Sequence, residues 1–263
     1  MQFSRSSFIL ATVITASLFS NTLTASECSH KSGKNRAALI ELYTSEGCSS
    51  CPPADKWLSQ LSKRGIGLDK LVPLSLHVDY WNYIGWRDPY SAPEYTQRQR
   101  EIGQRNKLRS IYTPQMVFNG RDYRGWRRQN VTQLLKEVNA WPAGANLSFN
   151  WSAISNNELT ATVKAELTDK NVSPSTMYVA LYENNLTSNI TAGENDGRSL
   201  HHDYVVRKML AIPVKGKQKI TKDISFQLEH DWDQKNLGMA VFVQQHSDGS
   251  VLQALSGSLS CQS

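Results

Sequence analysis

The sequence predicts an α/β layer domain with a mixed sheet, followed by a smaller all-β sandwich. Three observations predict it. Strand-like and helix-like patterns alternate from residue 37 to about residue 145. A Cys-Ser-Ser-Cys stretch sits where the first strand hands over to the first helix. From residue 145 onward about seven short β-rich segments follow with no helical pattern between them.

The elements can be taken in order. Ala37-Ala38-Leu39-Ile40-Glu41-Leu42-Tyr43 is an apolar run that reads as a strand. Trp57, Leu58 and Leu61 share one face of a helix over 52–63. Residues 71–78 read as a second strand, 80–90 as an aromatic loop, and 93–106 as a polar helix. Residues 113–118 form a third strand. Asn119-Gly120 signals a hairpin turn, so 123–126 returns as a fourth strand. An amphipathic helix over 131–141 closes this part. Two βα units, a hairpin and a helix make an α/β layer fold. After Gly144 the segments 147–154, 159–167, 177–182, 204–212, 220–228, 239–245 and 251–256 alternate or are β-rich. A sandwich of immunoglobulin-like or fibronectin-like type fits that spacing. The expected domains are therefore 26–144 and 145–263.

The chain has 263 residues, is 40% hydrophobic and carries a net charge of +6. Its basic residues are scattered, apart from a small cluster at Arg121, Arg124, Arg127 and Arg128. No basic stripe or recognisable module supports a nucleic-acid partner. At the N-terminus, Arg5 precedes an apolar core over 8–19 that is short for a bilayer span, and small residues follow at Thr24, Ala25 and Ser26. This reads as a signal peptide over 1–25 that is cleaved after Ala25 or Ser26. The mature chain is expected to be secreted or periplasmic and free of the membrane, where disulfides persist. Four cysteines allow three pairings. Cys48 and Cys51 are a local pair, which leaves Cys28 with Cys261 as a structural disulfide joining the chain ends.

Strand, C-x-x-C, helix is the arrangement a thiol–disulfide site needs, since a helix N-terminus favours the thiolate. An inert local disulfide is the alternative. Zinc uses the same spacing but needs a second ligand pair, and none follows. No metal site and no organic cofactor are therefore expected. Pro52 and Pro53 directly follow the motif. Proline belongs only in a first helical turn, so the helix begins either at Cys48 or nearer Pro52.

Element order and the C-x-x-C position resemble the thioredoxin fold, so the resemblance implies an α/β thioredoxin-like first domain. A closer resemblance lies in the run 41–55, in His77-Val78-Asp79-Tyr80-Trp81, in Gly85-Trp86-Arg87-Asp88-Pro89 and in Gly193-Glu194-Asn195-Asp196-Gly197-Arg198. These stretches, with His202 and Val205-Val206-Arg207, resemble the bacterial secreted proteins grouped as domain of unknown function 1223. That family implies export and no established reaction.

The thioredoxin resemblance implies Cys48 as nucleophile, Cys51 as resolving cysteine and a cis peptide between Thr113 and Pro114 facing an extended substrate. Glu41, in the strand before the motif, is the candidate proton shuttle for Cys51. A Glu on the solvent side of that strand is the alternative. Glu46 is expected to be exposed. Tyr80, Trp81 and Trp86 are candidate substrate anchors beside the cysteines, or they pack against the second domain. His77 and Asp79 share a strand face and are expected to pair. The function read is an exported thiol–disulfide oxidoreductase acting on protein or small-molecule thiols with a redox partner protein. The alternatives are a non-catalytic binding module with a structural C-x-x-C, or a thioredoxin-like metal handler. In the latter, Cys48, Cys51 and one of His201 and His202 hold a soft ion such as Cu(I).

Overall fold

One mixed sheet of eight strands runs through both halves of the chain. The computed structural model describes residues 28–152, 154–168, 174–214 and 219–260. The expected signal peptide and the expected Cys28–Cys261 pairing fall on residues outside the described ones. In chain order the elements are β1 (Cys28–Lys31), β2 (Ala38–Thr44), α1 (Pro52–Ser59), β3 (Leu71–His77), α2 (Pro93–Arg105), β4 (Gln115–Phe118) and β5 (Arg121–Asp122). Then come α3 (Val131–Asn139), β6 (Ala145–Trp151), β7 (Glu158–Leu167), β8 (Ser175–Glu183), β9 (Leu186–Asn189) and β10 (Ser199–His202). The chain continues through β11 (Val205–Val214), β12 (Lys219–Gln227), β13 (Leu237–Gln245) and β14 (Val251–Ser258).

The large sheet has the order β14-β13-β8-β11-β3-β2-β4-β5, and a second sheet has the order β1-β6-β7-β12. Strands β2 and β3 pair in parallel from Ala38 opposite Leu71 to Thr44 opposite His77. The other edge of β3 takes β11 in parallel, with Val205 opposite Ser75. The Ser75 N–H donates to the Tyr204 carbonyl at 2.8 Å across that seam.

Alternation along the strands builds three layers. Leu39 and Tyr43 of β2, with Ala180 and Phe242, face α2 through Tyr95 and Ile102. Ala38, Ile40 and Leu42 point the other way, onto Leu58 of α1 and Leu135 of α3. On that same side Met177, Val179, Leu181 and Val241 pack against Phe149, Trp151 and Val163 of the second sheet. Each fully buried side chain of this kind contributes about 1.5–3 kcal/mol of transfer free energy.

This corrects the expected architecture. The protein is not an α/β thioredoxin-like domain followed by a small immunoglobulin-like or fibronectin-like sandwich. Strands β8, β11, β13 and β14 continue the sheet that β2 to β5 begin, and β11 closes the β3 edge that a separate domain would leave open. The physical reason lies in the strands themselves. Strand β7 alternates exposed and buried residues, as a one-sided strand does. Strands β8 and β13 are buried along nearly their whole length. Strands buried on both faces belong inside a layered sheet with cover on each side. Two smaller differences also follow. The fourth strand shrinks to Arg121–Asp122, with a 3₁₀ turn at Arg124–Arg127 in its place. Part of the aromatic loop winds into a 3₁₀ helix over Asp79–Ile84.

Candidate functional site

The site is built where β2 ends. The chain leaves the sheet at Thr44, turns through the Cys48–Cys51 loop and enters α1. Cys51 is the N-cap residue, and Pro52 and Pro53 occupy the first helical turn. Their missing N–H groups cost nothing there. The helix therefore begins at Pro52, and Cys48 lies off its end. Cys48 and Cys51 form a disulfide with their Cα atoms 5.4 Å apart. Cys48 is 1% exposed and Cys51 0% exposed, while Ser49 and Ser50 between them are exposed. Cys48 Sγ lies 3.3 Å from the Ser50 hydroxyl.

A strap from the second half of the chain holds this loop. Strands β9 and β10 form a hairpin, and the turn between them carries Gly193-Glu194-Asn195. The Asn195 side chain donates to the Glu46 carbonyl at 2.7 Å and the Cys48 carbonyl at 3.1 Å. The Glu194 carboxylate accepts the Ser49 N–H at 3.0 Å, and the Ser49 hydroxyl together with that N–H holds its carboxyl below its ordinary value. Gly193 has φ +77°, and an added Cβ would sit 3.3 Å from Ile84 and 3.4 Å from Trp86. Only glycine meets both demands at that turn.

Under the loop lies a buried group of ionisable side chains. Glu46, Asp55, His77, Asp88 and His202 are all 5% exposed or less. His77 Nδ1 sits 2.7 Å from Asp88 Oδ2. The same carboxylate accepts the Glu46 N–H at 2.8 Å and the Tyr90 N–H at 2.9 Å. Burial alone would raise the Asp88 pKa, but His77 and these N–H groups outweigh it and hold the carboxyl low. His202 Nε2 lies 3.2 Å from Glu46 Oε1, and Trp86 Nε1 donates to Glu46 Oε2 at 2.8 Å. The Thr44 hydroxyl donates to Asp55 Oδ2 at 3.1 Å. Burial alone would lower the His202 pKa, but the Asp55 and Glu46 carboxylates push it up to about 10. The Asp55 share of that is charge attraction, because His202 Nδ1 and Asp55 Oδ1 are 3.8 Å apart, beyond hydrogen-bonding distance. The His77 and His202 rings meet edge to face at 5.0 Å, and Tyr90 stacks edge-on to both.

The residues singled out from sequence fall into two sets. Trp86 and Trp81 stand beside the cysteine loop. Trp86 bonds Glu46, and a Cβ on Gly47 would sit 3.2 Å from Trp81 Cβ. Trp81 Nε1 donates to the Thr113 hydroxyl at 2.7 Å, and the Thr113–Pro114 peptide is cis. Tyr80 is half-buried against the α2-side core. Glu41 stands apart. It is buried on the opposite sheet face from α1, and its Oε1 accepts from Arg98 Nε of α2 at 2.7 Å and from the Tyr43 hydroxyl at 3.1 Å. Glu46 is fully buried, where exposure was expected. His77 pairs with Asp88, and Asp79 accepts from the Thr96 hydroxyl at 2.6 Å, so His77 and Asp79 do not pair. His201 is exposed beside Asp203 while His202 faces inward, as neighbours on a strand must. The cysteine sulfurs are bonded to each other.

The model of a protein family described as "Protein of unknown function (DUF1223)" matches residues 39–244, from β2 through the Cys48–Cys51 loop and the strap into β13. The chain belongs to this family. No curated protein matches this DUF1223 chain. Among solved structures it is similar to protein AGR_C_4864 from Agrobacterium tumefaciens. The two share 22% identity and a TM-score of 0.59 over 88% of this chain and 100% of that one. It is also similar to HBP35 of Porphyromonas gingivalis, at 17% identity and a TM-score of 0.63 over 87% of this chain and 76% of that one. At these identities the likeness concerns the fold alone. Among the described residues no helix is long and apolar enough to cross a membrane.

Asp55, Asp88 and Asn195 were not anticipated as site residues of this DUF1223 chain. Asp55 carried a signal, because it precedes Leu58 by three positions and so shares the inward face of α1. Asp88 precedes Pro89, which reads as an ordinary turn signal and gives no sign of its burial. Asn195 acts through partners 149 and 147 residues away, a pairing that no local pattern encodes.

Proposed function

We propose that this DUF1223 chain is an exported thiol–disulfide exchange protein working through Cys48 and Cys51. The observation that carries the reading is the disulfide closed across a separation of three residues at the start of α1. A substrate thiolate attacks Cys48 Sγ. The Cys48–Cys51 bond breaks, and Cys51 leaves as a thiolate that the α1 N-terminus favours. A second substrate thiolate then attacks the substrate's sulfur in the mixed disulfide and releases Cys48 as thiolate. Two electrons pass from the substrate to the protein, and the reverse sequence reduces a substrate disulfide. Substrates of the class are protein or small-molecule thiols, a redox partner protein resets the pair, and no organic cofactor takes part. The compartment is outside the cytoplasm, where such a pair stays oxidised. With both cysteines buried, exchange requires the 193–197 strap to lift.

Burial of both cysteines favours a second reading, a structural disulfide with recognition in the aromatic segment 80–90. An assay of disulfide reduction separates the two. Exchange predicts turnover that Cys48→Ser abolishes and Cys28→Ser leaves in place. Full activity in Cys48→Ser would refute it.

A further inference from the structure

We propose that His77, His202 and Asp55 form a binding site for a divalent transition-metal cation of the zinc class. The proposal goes beyond the disulfide reading and does not depend on it.

Three elements deliver the ligands. His77 ends β3, Asp55 sits in α1, and His202 ends β10. Each presents one side-chain atom that is buried and has no hydrogen-bond partner: His77 Nε2, His202 Nδ1 and Asp55 Oδ1. One donor atom from each of these residues lies within 4.8 Å of the others. A buried polar atom left unbonded is costly, and three converging on one point call for a shared occupant.

The opposite atom of each ligand is already held. Asp88 Oδ2 takes His77 Nδ1 at 2.7 Å, Glu46 Oε1 takes His202 Nε2 at 3.2 Å, and Thr44 donates to Asp55 Oδ2 at 3.1 Å. A carboxylate behind each imidazole is the outer arrangement of metal-binding histidines. It keeps a proton on the far nitrogen, and the ion displaces the remaining Nδ1 proton of His202 to take the near lone pair. The charge also fits. Glu46, Asp55 and Asp88 are three buried carboxylates around two imidazoles, so a divalent cation that displaces the His202 proton keeps their charge compensated. Tetrahedral zinc sets neighbouring ligand atoms roughly 3.3 Å apart, so the ligands close by up to about 1.5 Å on binding.

The ligand set names the class. Two imidazoles and one carboxylate suit Zn(II), Co(II), Ni(II) and Cu(II), whereas Mg(II) and Ca(II) prefer all-oxygen sites. Access comes from outside. A groove of about 360 Å³ between α1 and β10, lined by Lys56, Ser59 and Ser199, also has Asp55 and His202 in its wall. A fourth coordination position facing that groove takes water or a ligand oxygen.

The test uses oxidised, metal-stripped protein titrated with Zn(II) by calorimetry and with Co(II) by absorption. The expected result is one equivalent bound, a raised melting temperature and a four-coordinate Co(II) spectrum without sulfur charge transfer. His77→Gln, His202→Gln and Asp55→Asn each weaken binding at least about 100-fold, and Asp88→Asn weakens it about 10–100-fold. His201→Gln leaves it unchanged. No stoichiometric binding, or binding insensitive to the three ligand variants, overturns the proposal. Where a variant does not fold, X-ray absorption of the wild-type cobalt protein decides. Nitrogen and oxygen scattering with an imidazole pattern supports the site, and sulfur scattering overturns it. Because the disulfide stays closed throughout, failure here leaves the exchange reading untouched, and failure of exchange leaves this one untouched.

Discussion

Asn195 donates its side-chain amide to the backbone carbonyls of Glu46 and Cys48, across a sequence separation of 149 and 147 residues respectively. A residue of the β9–β10 turn thus fastens the Cys48–Cys51 loop, and the carbonyl of Cys48 itself is one of its acceptors.

Asn195→Ala removes both bonds from a fully buried position. Leaving those carbonyls unsatisfied costs about 1–3 kcal/mol. Even the lower figure raises the open population about fivefold. The expected outcome is faster reduction of Cys48–Cys51 by a small phosphine, followed by alkylation and mass spectrometry. An unchanged rate would show that the strap does not control access.

The continuous sheet predicts that neither half of the chain folds alone. Residues 26–144 without the rest lack β11 on the β3 edge and lose Ala180, Tyr182 and Phe242 from the core they share with Leu39 and Tyr95. Circular dichroism and urea titration of that fragment should show no cooperative transition. A cooperative transition at ordinary stability would restore two independent domains.

Much of this was legible in the sequence, and the part that was not has a physical cause. The seven β segments after Gly144 form close to where the alternation placed them, and so do the strands either side of α1. Local periodicity reports such elements well. It does not report which strand lies beside which. The pairing of Val205 with Ser75 joins residues whose neighbours in sequence carry no mark of it. The clue available was Met177-Tyr178-Val179-Ala180-Leu181-Tyr182, a run without alternation, which signals cover on both faces. At the site, Cys48 and Cys51 stand out in the sequence, and their disulfide forms. The carboxylate on the α1 side of the sheet is Asp55 of α1 itself, not Glu41, because Ile40 and Leu42 take that side of β2 and leave Glu41 on the other.

Glu41 and Arg98 form a buried pair, 0% and 6% exposed. Arg98→Ala strands the Glu41 charge and should cost about 3–5 kcal/mol in denaturant unfolding. Glu41→Gln should lower stability as well but leave the potential of the Cys48–Cys51 pair unchanged. A shifted potential would return Glu41 to the chemistry of the cysteines.

Glu183 supplies a pH dependence. Burial raises its pKa, against the opposing pull of the Asp233 N–H and Arg207. A carboxyl raised in the folded state binds its proton more tightly there than in the unfolded chain. It therefore stabilises the fold as pH falls through the folded value, and that contribution is lost as pH rises through it. Melting curves of wild type and Glu183→Gln should converge toward low pH in the wild type's favour. Parallel curves across the acidic range would contradict this.

The central claim rests on the reactivity of one bond, and its reduction potential tests that most directly. Metal-free protein equilibrated in glutathione buffers, then alkylated and weighed, gives the value for Cys48–Cys51. The exchange reading predicts a potential between roughly −270 and −120 mV, the span of thiol oxidoreductases. A value below about −300 mV marks a structural disulfide and would contradict it.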